Sequence, residues 1–144
     1  MASFDLYCER IGPDLLAEPV NAATNAAFFV VAWLAWRYAR RCGPISVGVA
    51  ALLALNVAIA VGSMLFHTYA TVWARVLDEL PILLFQLLFL WIYARRVIGM
   101  PRIGAAASIV AYLAVALYAR RFPHLLNGSL IYAPAVLMTP SLSM

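Results

Sequence analysis

A chain of 144 residues that is 66% apolar, only 11% charged and +0.92 in mean hydropathy carries too few polar side chains to cover the exterior of a water-soluble domain. Lipid must be its outer solvent, which makes it an integral membrane protein. The formal charge of +4 comes from arginines gathered at the ends of apolar runs, so it reports membrane topology and does not point to a nucleic-acid partner.

The chain opens on a tail that carries Asp5, Glu9, Asp14 and Glu18. This tail lacks the basic start of a signal peptide, so the first apolar run is expected to be a retained helix. Runs near the length that spans a hydrocarbon core follow at residues 19–38, 47–68, 80–93 and 103–118. Turn signals part them at Gly43-Pro44, at Gly99-Met100-Pro101, and at Phe122-Pro123 with Asn127-Gly128. A fifth run begins near Gly128, is interrupted by Pro134 and Pro140, and stops at Met144. The predicted fold is all-α: a polytopic transmembrane helix bundle with four complete spans and a partial fifth, in a single domain over residues 1–144. Arg37, Arg40 and Arg41 follow the first span, and Arg95, Arg96 and Arg102 follow the third, with no acidic residue beside them. Those loops are expected to be cytoplasmic, which puts the amino terminus and all the acids on the extracytoplasmic side. Cys8 and Cys42 then lie on opposite faces and do not pair within one chain.

Against this apolar background, the stretch GSMLFHTYATVWARVLDELP at residues 62–81 holds a serine, a histidine and two carboxylates. Ser63 and His67 are four residues apart, so they share one helix face about 6 Å apart along the axis. Asp78 follows a tight turn and returns to the same depth on the neighbouring helix. Each residue also has a plainer role. Ser63 can bond the Ile59 carbonyl or ease helix packing, His67 can be an interfacial histidine, and Asp78, with Glu79 and Pro81 after it, suits a helix N-cap. Ionisable groups at membrane depth cost energy, however, and three polar residues together point to a site.

A second polar patch precedes the first span. Glu18, Asn21 and Asn25 recur on one helical stripe that should face protein and not lipid. With Asp5 and Glu9 they bring oxygen donors to the outer surface, as a hard cation such as calcium requires. The plainer alternative is a solvated acidic tail with Glu18 at the helix start and Pro19 in the first turn.

Taken in order, YCER, AEPVNAATN, GSMLFHTYATVWARVLDELPIL and NGSLIYAPA resemble the alkaline ceramidase family, seven-helix membrane hydrolases that cleave the amide bond of ceramide into sphingoid base and fatty acid. The resemblance implies that His67 is a zinc ligand, that Ser63 steadies the developing oxyanion, and that Asp78 is the catalytic base. It further implies that Glu9, Glu18 and Asp5 serve a calcium ion. Family members carry two further helices with a histidine pair that completes the zinc site. Here the only other histidine is His124, so the chain looks like a shortened member. The alternative reading is a non-catalytic membrane protein that keeps the family's first helices and binds lipid or a partner.

Overall fold

The computed structural model describes residues 18–119 and 121. The partial fifth span, His124 and the tail carboxylates Asp5 and Glu9 lie outside them. The described residues form α1 (Pro19–Thr24), α2 (Ala26–Cys42), α3 (Val47–Tyr69), α4 (Val72–Ile92) with a π-helical turn at Tyr93–Val97, and α5 (Arg102–Ala119). Among the described residues, four helical stretches are long and apolar enough to cross a membrane: Pro19–Cys42, Val47–Tyr69, Val72–Val97 and Arg102–Ala119. The contacts group into two compact units, Met1–Phe85 and Gln86–Met144.

In the first unit, Pro19 starts α1 at a position where a missing N–H costs nothing. The break after Thr24 has a local cause. The Thr24 hydroxyl and the Asn25 side-chain amide both donate to the Asn21 carbonyl, at 2.9 and 3.0 Å. That carbonyl is the one the Asn25 backbone N–H would take in an unbroken helix, so the side chains displace the ladder for one residue. α2 then runs to Gly43, whose φ of 131° is readily available only to glycine. Arg40 and Arg41 lie in its last turn, where the helix dipole favours cations, and Arg37 and Arg40 stack over Trp33 and Trp36.

α3 starts at Ser46, whose hydroxyl accepts from the Val49 N–H at 3.4 Å. Ser46→Ala should cost about 1 kcal/mol, the usual value of such a cap, measurable as a lowered midpoint of unfolding in mixed detergent micelles. α3 packs on both α1 and α2, with Ala60 fully buried and Ile59 nearly so. It ends on Ala70 in the left-handed conformation (φ 47°, ψ 40°), where the Ala70 N–H closes the last turn on the Phe66 carbonyl at 2.8 Å.

The third span begins earlier than the hydropathy suggests, at Val72 instead of near residue 80. The segment is amphipathic, so an average over it looks polar although it winds as helix. Arg75 and Glu79 are one turn apart and joined at 2.6 Å, and Trp73 continues a ring contact with Tyr69 across the turn. Asp78 therefore lies inside α4 and is not its N-cap, and Pro81 is interior as well.

In the second unit, Gln86 receives a hydrogen bond from the hydroxyl of buried Tyr112, satisfying two polar groups that lipid would leave unpaired. The π turn ends at Val97 and the chain turns at Gly99 (φ 77°), with the Arg95 guanidinium donating to the Met100 carbonyl. α5 packs against the π turn, with Ala105 buried.

Candidate functional site

The site forms where the last turns of α3 meet the start of α1 and the second turn of α4. Ser63 and His67 are each 8% exposed. They occupy one face of α3, as their spacing predicts, and Phe66 packs its ring beside the imidazole at 5.7 Å between centroids.

Opposite this face stands Glu18, 2% exposed. Although it caps α1 by position, its side chain makes no capping bond to the helix. Its Oε2 instead meets His67 Nδ1 at 2.6 Å, a contact between residues 49 apart in sequence. The Asn21 amide donates to the same oxygen at 3.3 Å. Asn25 is buried too, so the Glu18–Asn21–Asn25 stripe faces protein, as expected from its polarity.

A carboxylate only accepts, so in this pair the His67 Nδ1 carries the proton that bridges to Glu18. Fixing one ring nitrogen of a histidine by a carboxylate sets both its tautomer and its orientation. The short contact and the near-complete burial of both groups make the bond strongly oriented.

Asp78 reaches the same site from α4, which passes the buried Gly62 of α3. The Ser63 hydroxyl and the His67 imidazole both lie close enough to the Asp78 carboxylate to act on it electrostatically. Among the described residues, Asp78 Oδ1 is buried and has no hydrogen-bond partner. A buried carboxylate oxygen without a donor is costly to leave unmet. Thus the structure brings Ser63, His67 and Asp78 together and adds Glu18. Of the residues singled out in the sequence, Asp5 and Glu9 lie outside the described residues.

The pairing of Glu18 with His67 is the feature sequence reasoning missed. One signal was available: the arginine pattern assigns both residues to the same membrane face, where an acid and an imidazole at one depth each need a partner.

A family model described as Ceramidase matches residues 7–141. The chain belongs to the ceramidase family. That match runs through every element of the site, from Glu18 on α1 to Asp78 on α4. No curated protein and no solved structure matches the chain significantly. Family membership and the apolar spans support a membrane hydrolase of ceramidase type, and within that frame the cluster at the ends of α1, α3 and α4 is the candidate active site.

Proposed function

We propose that this ceramidase-family protein hydrolyses the amide bond of a ceramide-like lipid within the membrane, releasing a sphingoid base and a fatty acid. The observation that carries the reading is the buried 2.6 Å contact of His67 Nδ1 with Glu18, beside Ser63 and Asp78. It fixes the imidazole in the same buried region as one hydroxyl and one carboxylate. In this reading the Ser63 hydroxyl donates to the carbonyl oxygen as negative charge develops there. Asp78 takes the proton from the attacking water and returns it to the leaving amine, so that protons balance across the reaction. Glu18 holds the imidazole in place and Phe66 packs against it.

Zinc is the proposed cofactor, with His67 Nε2 as one ligand. A carboxylate-fixed imidazole is what a zinc-binding histidine requires. Among the described residues no group of three His, Cys, Asp or Glu side chains stands ready to hold a metal alone, so the remaining ligands would come from outside the described residues. When bound, zinc supplies a Lewis acid that polarises the amide carbonyl and acidifies water. The calcium role proposed for Asp5, Glu9 and Glu18 rests on the family resemblance and on the oxygen donors these side chains offer. The arginine-rich ends of α2 and of the π turn support an extracytoplasmic amino terminus, which would place the site near the outer interface.

The test is metal content and turnover measured together. Purified protein in detergent is expected to hold zinc and release sphingoid base from long-chain ceramide, to lose release on chelation, and to regain it with added zinc. Ser63→Ala should lower kcat by about 10²–10³-fold, the usual loss of one oxyanion donor. Wild-type protein that neither binds zinc nor releases product would overturn the proposal in favour of a non-catalytic, lipid-binding protein.

A further inference from the structure

Two residues of the site region have no part in the chemistry above, yet they sit directly beside the residues that do. Pro81 is inside α4. Its ring nitrogen has no hydrogen, so the carbonyl four residues earlier, that of Leu77, loses its helical donor. In an apolar setting such a freed carbonyl has to be met from elsewhere.

On α3 the facing residue is Gly62. A Cβ built on Gly62 would lie 2.0 Å from the Leu77 oxygen, 2.6 Å from the Leu77 carbonyl carbon and 3.1 Å from the Asp78 nitrogen. These are backbone atoms, which cannot swing aside as a side chain does. Only a hydrogen fits there, and the Gly62 Cα–H faces the carbonyl that Pro81 has released, a geometry in which a weak Cα–H···O bond forms. The chain continues from Gly62 to Ser63 on one helix and from Leu77 to Asp78 on the other. This close backbone approach is thus one residue from Ser63 on one helix and one residue from Asp78 on the other.

We propose that Gly62 and Pro81 are positioning residues: Pro81 frees the Leu77 carbonyl, Gly62 admits it against α3, and this docking sets the depth and distance at which Asp78 meets Ser63. The catalytic meaning of that contact rests on the proposed function, but the docking itself is measurable without turnover.

The measurement is disulfide trapping in native membranes. Cys8 and Cys42 are the natural cysteines; both are replaced by serine, and Ser63→Cys and Asp78→Cys are introduced. Oxidation by copper phenanthroline is followed as loss of labelling by a maleimide polymer, reversed by reductant. The pair is expected to close readily, and closure should slow by about tenfold or more with Gly62→Ala or with Pro81→Ala, because a disulfide tolerates only a narrow range of Cα separations. Pro81→Ala guards against simple misfolding, since alanine gives the Leu77 carbonyl its helical donor back and should leave the protein folded. The double variant Gly62→Ala/Pro81→Ala should melt higher than Gly62→Ala alone, because the carbonyl withdraws into α4, while trapping stays slow. Equal trapping rates in all backgrounds would overturn the proposal. So would recovery of fast trapping together with stability in the double variant. Absence of ceramide hydrolysis by the wild type would count against the proposed function and leave the docking result unaffected.

Discussion

Asp78→Asn is expected to lower ceramide hydrolysis by about 10²–10⁴-fold, the range for loss of a positioned general base. Asparagine has the same shape and stays compatible with the interior of α4, where Asp78 sits well past the first residue, Val72. Its amide still reaches the Ser63 hydroxyl, which neighbours the carboxylate in the wild type. What disappears is the capacity to take a proton, so the loss should fall on kcat with little change in KM or in melting temperature. Steady-state kinetics in mixed micelles, paired with a thermal melt, separate these effects. Turnover equal to wild type would remove Asp78 from the chemistry. A fall in melting temperature that matches the fall in activity would make it a structural residue.

Glu18→Ala should act on both activity and stability, because this side chain does two jobs through one oxygen. It accepts from His67 Nδ1 at 2.6 Å and from Asn21 at 3.3 Å. With alanine, the buried imidazole N–H is left without a partner, at a cost of about 1–3 kcal/mol. The ring is also free to rotate, and loss of such an orienting carboxylate typically lowers metal affinity or activity by about 10–100-fold. Glu18→Gln keeps a carbonyl oxygen that can accept the Nδ1–H, so it should recover most of the stability and part of the activity. The expected order is wild type above Gln above Ala in both turnover and zinc retained after dialysis. If the glutamine and alanine variants behave alike in stability, the hydrogen bond to His67 is not what holds Glu18 in place.

The residues of the site differ in how much of their role could be read from the chain. Ser63 and His67 share a face because an α-helix returns every 3.6 residues, so spacing alone aligned them. Asp78 could be placed near them, since a tight turn returns the chain to the same depth. Its setting was harder to see. Hydropathy averages the stretch after Ala70 into something polar, whereas helix winding depends on local pairs such as Arg75–Glu79, and the third span in fact starts at Val72. Glu18 and Gly62 were the least legible. Glu18 reads from sequence as a helix-start residue and does begin α1, but its carboxylate goes to another helix. Gly62 is one small residue among many in α3, and nothing local shows that a backbone carbonyl approaches it.

The apolar, membrane-spanning character, the order of the four spans among the described residues, and the family to which the chain belongs were determined by the linear chain. Those properties depend on summed apolar length and on motifs of adjacent residues, both of which survive without any knowledge of packing. The partner of His67, the interior position of Asp78 and the meeting of Gly62 with the Leu77 carbonyl were decided only by tertiary structure. A hydrogen bond spanning 49 residues and a backbone contact between two helices depend on how the helices are set against one another. That arrangement is chosen by the packing of whole faces, and no local stretch of sequence contains it.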